Sequence, residues 1–480
     1  MKVPVGNPYL PNFEYVPDAE PYVFGDRLYV FGSHDRFGWD DFCVGDYQGW
    51  SAPLDSLSDW HHEGTIYRRD QDPLYEKNIE ACRMFAPDVE VGADGKYYLY
   101  YGLSHTGEIH VAVCDTPAGR YEYLGPVIHP DGTALGKKDG DPFQYDPGVL
   151  RDDDGRIYLY SGFCFDSSKI VKFKGLPENR QGAFVYELSQ DMRTVITEPK
   201  YIVPCWCNSA GTGFEGHAFF EASSIRKIGN TYYFIYSSEQ GHELCYATSS
   251  SPVSGFQFRG TIVSNGDIGY GGRTDRVNYT GTNHGSIVHL PDGWYVFYHR
   301  QSGGSPYARQ GCAEKIEILP DGSIPQVRVT STGLGGCPFP GKGTYGVFRL
   351  CCLKSASGAC EYAAKTRVDD THPYLTQDGP DREDTPGQYL HNLKNGASVG
   401  FRSFHMDHIC TIAITCRGNA EGTLELCSGE QGPVIGAASI LPETAWHSVT
   451  CEISPQKGEA DLWMVYRGSG SLDLKDFTLD

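Results

Sequence analysis

Residues 149–162 read VLRDDDGRIYLYSG. An apolar stretch runs into an acidic turn closed by Gly155, and an alternation of aliphatic and aromatic residues runs out of it, the signature of a tight β-hairpin. The same pattern returns as YVFGDRLYVFGS at 22–33, VEVGADGKYYLYYG at 89–102, SIRKIGNTYYFIYSS at 224–238 and SIVHLPDGWYVFYH at 286–299. The tyrosines that align, Tyr29, Tyr98, Tyr158, Tyr233 and Tyr295, recur at intervals of about 60 to 75 residues. A period longer than a minimal four-stranded propeller blade is filled if loops are elaborated at one rim. Five copies therefore predict an all-β, five-bladed β-propeller.

The aromatic runs are expected to pack between blades, so chemistry must come from polar positions. About ten to twelve residues before each aligned tyrosine stands one polar residue in an apolar or small context: Asp18, Asp88, Asp146, Glu221 and His284. Equivalent positions of the innermost strands of a propeller surround a single axis, so four carboxylates and an imidazole are expected around one pocket. Acidic residues at the start of a strand also cap turns; their occurrence in every copy is what favours a shared site. Crowded like charges raise at least one carboxyl pKa while another stays ionised, which supplies an acid and a base.

Composition bounds the alternatives. The 480 residues, 40% of them hydrophobic, suffice for two domains. A formal charge of −21 with no basic patch opposes nucleic-acid or membrane-surface partners. The first fifteen residues, MKVPVGNPYLPNFEY, contain no apolar signal region. The sixteen cysteines are scattered without metal or redox spacing and are expected to be reduced thiols. Beyond the fifth copy, a Gly/Pro-rich stretch near 332–345 reads as a linker between a propeller at 1–335 and a second domain at 345–480. ASVGFRSF (397–404), HICTIAITCRG (408–418) and GTLELCSG (422–429) are short, alternating and glycine-punctuated, which predicts a β-sandwich of jelly-roll type.

The repeats resemble those of glycoside hydrolase family 43, whose members are five-bladed propellers. By that resemblance VPDAEPYVFGDRLYVFGSHD (16–35) places the general base at Asp18, YDPGVLRDDDGRIYLYSG (145–162) places a pKa-tuning residue at Asp146, and FFEASSIRKIGNTYYFIYSS (219–238) places the general acid at Glu221. TNHGSIVHLPDGWYVFYHR (282–300) is similar to the stretch whose histidine, here His284, sits on the axis and helps hold a hydrated metal ion, commonly calcium. YARQGCAEKIEILPDGSI (307–324) looks like the closing strand, with Arg309 reaching toward substrate near the acid. Phe85-Ala86-Pro87 stands where the family often has Trp-Ala-Pro, which with Asp88 puts Phe85 among the expected substrate contacts. Phe37, Trp39 and Trp50 are further candidates for stacking on sugar rings. Glu20, two residues beyond Asp18 and on the same face of a strand, competes for the base role, as Glu215 competes less well with Glu221.

The resemblance implies an inverting hydrolase in which two carboxyl groups about 6.5 to 9.5 Å apart flank the scissile bond. An α-L-arabinofuranosidase acting on arabinoxylan-type plant glycan is the leading expectation, ahead of a β-D-xylosidase, an arabinanase and a non-catalytic glycan-binding propeller. The C-terminal region resembles a family 6 carbohydrate-binding module, for which Tyr374, Tyr389 and Trp446 would be the sugar-facing aromatics. A cytoplasmic location, acting on imported oligosaccharides, is expected, or an extracellular one if a leader has been removed.

Overall fold

The computed structural model describes residues 6–480 except 78–81, 104–105, 169–175, 177, 337, 363 and 382–386. Each of the five quoted repeats is an antiparallel hairpin whose aligned tyrosine faces an innermost-strand residue. Tyr29 pairs with Tyr22, Tyr98 with Glu90, Tyr158 with Leu150, Tyr233 with Arg226 and Tyr295 with Val288. The innermost strands are Glu20–Phe24, Met84–Val91, Gly148–Arg151, Phe219–Ile228 and Ile287–Leu290. Four of the sheets continue outward as four-stranded meanders and the fifth has three strands, ending on Gln310–Ile316.

Burial of the aromatic and β-branched faces between blades stabilises the ring. Blades 1 and 2 share Phe31, Tyr67, Leu99 and Tyr101; blades 2 and 3 share Tyr100, Val111, Leu159 and Tyr186. Blades 3 and 4 share Tyr160, Val185, Phe234 and Tyr236, and blades 4 and 5 share Tyr233, Tyr246, Val296 and Tyr298. The last seam, between blades 5 and 1, packs Tyr295 and Phe297 on Val30 and Trp50. It is also joined by Asn7, whose amide Nδ2 donates to Ala313 O (3.0 Å), Glu314 Oε1 (2.9 Å) and Thr330 O (3.0 Å), while its Oδ1 accepts from Ala313 N (2.9 Å).

Residues 343–479 form two antiparallel sheets face to face, one of six strands and one of five. Phe401, Phe404, Leu424, Leu462 and Phe477 fill the space between them. The sandwich is bound tightly to the fourth and fifth blades and their following loops. Buried Arg402 pairs with Asp267 and donates to Val329 O (2.9 Å), Arg328 pairs with Asp461 (2.8 Å), and Leu375 N donates to Ser302 O (2.8 Å). The fifteen described cysteines are free thiols, most of them buried.

Candidate active site

The chain is kinked at the start of the inner strands. Asp18 (φ +57°), Asp146 (φ +43°) and Ala222 (φ +68°) are all left-handed. Such a conformation in a non-glycine residue costs on the order of 1–3 kcal/mol and persists only where the surroundings enforce it. Here it lifts the carboxyls of Asp18, Asp146 and the neighbouring Glu221 off the regular strand pleat at the mouth of the axis.

Asp18 is buried and heavily partnered. Its Oδ1 accepts from Arg309 Nη1 at 2.8 Å and lies 3.2 Å from His299 Nδ1, and its Oδ2 accepts from Ser33 Oγ. Burial alone would raise its pKa, but Arg309 and then His299 outweigh it and hold the carboxyl well below the usual range. Arg309 is itself fixed: Nε and Nη2 grip Asp35 at 2.8 and 3.1 Å, and its guanidinium lies 4.7 Å from the centre of the Phe42 ring. Arg309 thus donates to Asp18, Asp35 and Ser33, and the Asp35 fork aims its remaining nitrogen at the carboxylate of Asp18.

Glu221 and Asp146 move the other way. Glu221 is pushed up to about 8 by burial and by the Asp18 charge, with Arg309 opposing. Asp146 is raised well above the carboxylate range by burial and by repulsion from Glu221 and Asp18, although Ala222 N donates to its Oδ2 at 3.2 Å. One ionised carboxylate and protonated carboxyls therefore share the mouth of the axis at neutral pH.

His284 also reaches this cluster, with Nδ1 at 3.7 Å from Asp146 Oδ2. Burial pushes its pKa down to about 4 against the pull of Asp18, so the ring is neutral, the form that binds metals. Among the described residues it makes no hydrogen bond. Calcium prefers oxygen ligands, so an ion here would be held by its own water shell with one nitrogen from His284. The neutral ring, without a hydrogen bond and close to Asp146 and the charge of Asp18, fits such a hydrated ion.

Several sequence expectations are corrected. Asp88 does not join the pocket: it is fully buried, its Oδ1 accepts from Tyr22 OH (2.6 Å) and Val89 N (2.8 Å), and its Oδ2 accepts from Val149 N (2.7 Å). It belongs to a second layer, further along the axis, with Glu20, whose Oε2 accepts from Arg226 Nη2 at 2.6 Å. Glu20 is thereby committed to Arg226, which removes it as a rival base. Glu215 is an exposed loop cap accepting from Gly211 N and, at 3.2 Å, from Thr212 N, which removes it as a rival acid. Trp50 is a core residue whose Nε1 donates to Glu14 (2.9 Å).

Phe37 and Trp39 line a different cavity, of about 160 Å³, at the seam with the sandwich, together with Tyr307, Arg367 and Tyr374. None of the three carboxyl residues lines it. Phe85 does border the site. It packs on Tyr145 (ring centroids 5.0 Å), which stacks on Phe163 (4.5 Å), which meets Phe220 edge-on (5.2 Å). Tyr145 and Phe220 immediately precede Asp146 and Glu221 in the chain, so this aromatic wall abuts the two protonated carboxyls. Sequence reasoning missed the wall, and its signal was the aromatic residue directly before each acid. It also missed Ser33, Asp35 and His299, at the ends of the first and last hairpins in GSHD and FYHR.

On the sandwich, one face of each of the Tyr389 and Trp446 rings is covered. Arg417 lies over both rings, 4.7 and 4.3 Å from their centroids.

The model of glycosyl hydrolases family 43 matches residues 6–324. A protein named xylosidase/arabinosidase from Thermoclostridium stercorarium is 48% identical over 478 residues, covering 98% of each chain. An arabinoxylan arabinofuranohydrolase from Paenibacillus polymyxa is 25% identical, covering 97% of this chain and 72% of its own. The crystal structure of a family 43 arabinoxylan arabinofuranohydrolase from Bacillus subtilis, in complex with cellotetraose, superposes with a TM-score of 0.52 at 20% identity over 98% of this chain and 97% of that one, a likeness of fold. With the family model running from the first blade through the last and a relative of such identity along nearly the whole length, the chain belongs to glycosyl hydrolases family 43 and is a glycoside hydrolase.

Proposed function

We propose that the chain is an inverting exo-glycosidase that removes α-L-arabinofuranosyl residues from arabinoxylan-type material. The observation that carries the mechanism is the opposite displacement of two carboxyl pKa values in one pocket, Asp18 downward and Glu221 up to about 8. Cleavage through an oxocarbenium-like transition state needs a proton for the leaving oxygen and an activated water on the other ring face. Glu221, protonated at neutral pH, donates the first. Asp18, ionised and oriented by Arg309, Ser33 and His299, accepts the proton of the second. Burial and the Asp18 charge keep Glu221 protonated until the leaving group demands the proton, and Asp146, whose Oδ2 accepts from Ala222 N, holds the backbone beside the acid in place. Phe85, Tyr145 and Phe220 exclude water from the side of the acid. A calcium ion held through its water shell at His284 would supply positive charge beside Asp146.

The arabinoside reading is supported by the names of the relatives that share the full length of the chain, one carrying both activities and the other arabinoxylan arabinofuranohydrolase. A β-D-xylosidase is the second reading, since the T. stercorarium name carries that activity too. Comparing kcat/KM for the 4-nitrophenyl glycosides of α-L-arabinofuranose and β-D-xylose decides between them: a higher value for the xyloside would overturn the first reading. Proton NMR of the sugar first released from an arabinoxylan oligosaccharide tests the mechanism, and a product of retained configuration would exclude it.

A further inference from the structure

His217, Glu243 and Cys245 form a cluster outside the catalytic pocket, on the third strand of the fourth blade and the loop before its first. Glu243 and Cys245 are alternate residues of the strand Glu243–Ser249 and so share a face. His217 is brought over that face by the turn in which its N–H donates to Phe214 O at 2.9 Å. His217 Nδ1 lies 2.7 Å from Glu243 Oε1 and 4.0 Å from Cys245 Sγ, and the three ligand atoms all fall within 4.8 Å of one another.

We propose that these three side chains are a binding site for a thiophilic divalent cation, zinc in the first place. Imidazole nitrogen, carboxylate oxygen and thiolate sulfur are the three donor types zinc uses, at about 2.0–2.3 Å, which places the donors of one ion roughly 3–4 Å apart. The cluster brackets that spacing: His217 and Glu243, 2.7 Å apart, must separate slightly to admit the ion, while His217 Nδ1 already stands 4.0 Å from Cys245 Sγ. A sulfur and an imidazole together select zinc over calcium or magnesium. The supporting shell is already built: Ser238 Oγ and Thr261 Oγ1 donate to the two oxygens of Glu243 at 2.5 and 2.8 Å, and the His217 ring stacks on Phe258 with centroids 4.7 Å apart and planes at 14°. His217 and Glu243 border an open cavity of about 740 Å³ with Gln240, Phe258 and Thr261, which leaves an approach for the ion and room for water as fourth ligand. Binding exchanges one M²⁺ for two protons, the one between His217 and Glu243 and the one on the Cys245 thiol.

His217 stands four residues before Glu221 in the chain, and the site shares no residue with the catalytic cluster, so the ion would fasten the loop that leads into the acid-bearing strand. Its test does not depend on the assigned substrate. Cobalt(II), a spectroscopic stand-in for zinc, is titrated into protein stripped with a chelator. One equivalent should produce a thiolate-to-cobalt charge-transfer band, abolished in Cys245→Ser and in His217→Ala. A double variant, Cys205→Ser with Cys207→Ser, should keep the band, because that thiol pair, with Sγ atoms 2.9 Å apart, is a close sulfur cluster outside the proposed site. Zinc affinity by calorimetry should fall roughly tenfold or more in Cys245→Ser. Absence of the band from the wild type, or its persistence in Cys245→Ser, would overturn the proposal. Circular dichroism and the rate of nitrophenyl glycoside hydrolysis establish that each variant is folded.

Discussion

Replacing Arg309 by Met isolates what sets the charge of the proposed base. In the folded protein Asp18 receives a 2.8 Å hydrogen bond from Arg309 and sits 3.2 Å from His299, both in a buried setting. An arginine at such a distance lowers a carboxyl pKa by about 1–3 units, and each unit is worth about 1.36 kcal/mol. Because the shift is downward, its stabilising effect is present above the unfolded carboxyl value of about 3.9 and lost as pH falls through the folded value. Removing the guanidinium leaves burial, the largest influence on Asp18, opposed only by histidine and the Ser33 hydroxyl. The acid limb of kcat/KM is therefore expected to move up by about 1–3 pH units. Asp35 loses its charged partner too, and breaking a buried pair costs about 3–5 kcal/mol, read as a lower urea midpoint. Arg309→Lys restores a positive charge without the fork, so its acid limb should lie between those of wild type and Arg309→Met. The assay is kcat/KM against pH for a nitrophenyl arabinofuranoside, paired with urea unfolding at each pH. A uniform drop in rate with an unmoved acid limb in Arg309→Met would refute the assignment of Asp18 as the group whose ionisation Arg309 controls.

Glu221→Gln should lower kcat by about 10²- to 10⁴-fold and abolish the basic limb, which in the wild type falls as pH rises through about 8 because the acid loses its proton; a basic limb that survives the substitution would assign the acid elsewhere. Glu20→Gln leaves Arg226 short of its buried partner and should lower stability by about 3–5 kcal/mol in urea unfolding, while the pH profile of the surviving folded enzyme keeps both limbs in place. Treatment with a chelator followed by calcium should restore thermal stability and activity in the wild type and leave His284→Ala indifferent to both, as followed by thermal shift and initial rates.

The hairpins were legible because their information is local: a glycine-closed acidic turn and alternating aromatics specify two paired strands wherever they occur. The axis was legible through repetition, which placed Asp18, Asp146, Glu221 and His284 together although each is far from the others in sequence. Asp88 shows the limit. It stands ten residues before its aligned tyrosine where Asp146 and Glu221 stand twelve, and along a strand that difference selects a deeper layer of the axis, where it meets Tyr22 and Val149. Ser33, Asp35 and His299 were hidden for another reason: their role depends on Arg309 crossing from the fifth blade to the first, a contact no local pattern encodes. The same holds for Tyr389 and Trp446, each with a face covered by Arg417 from another strand of the same sheet.

Asn7 ties the chain's first described residues to Ala313, Glu314 and Thr330, and so holds the first blade against the fifth. That seam is also the one the proposed base depends on, since Asp18 and Ser33 lie on one side of it and Arg309 and His299 on the other. The ionisation of Asp18 is thus a gauge of how completely the ring is shut. Partial opening at this one joint would silence hydrolysis while the hairpins stay intact, so loss of activity should precede loss of strand signal when the protein is heated.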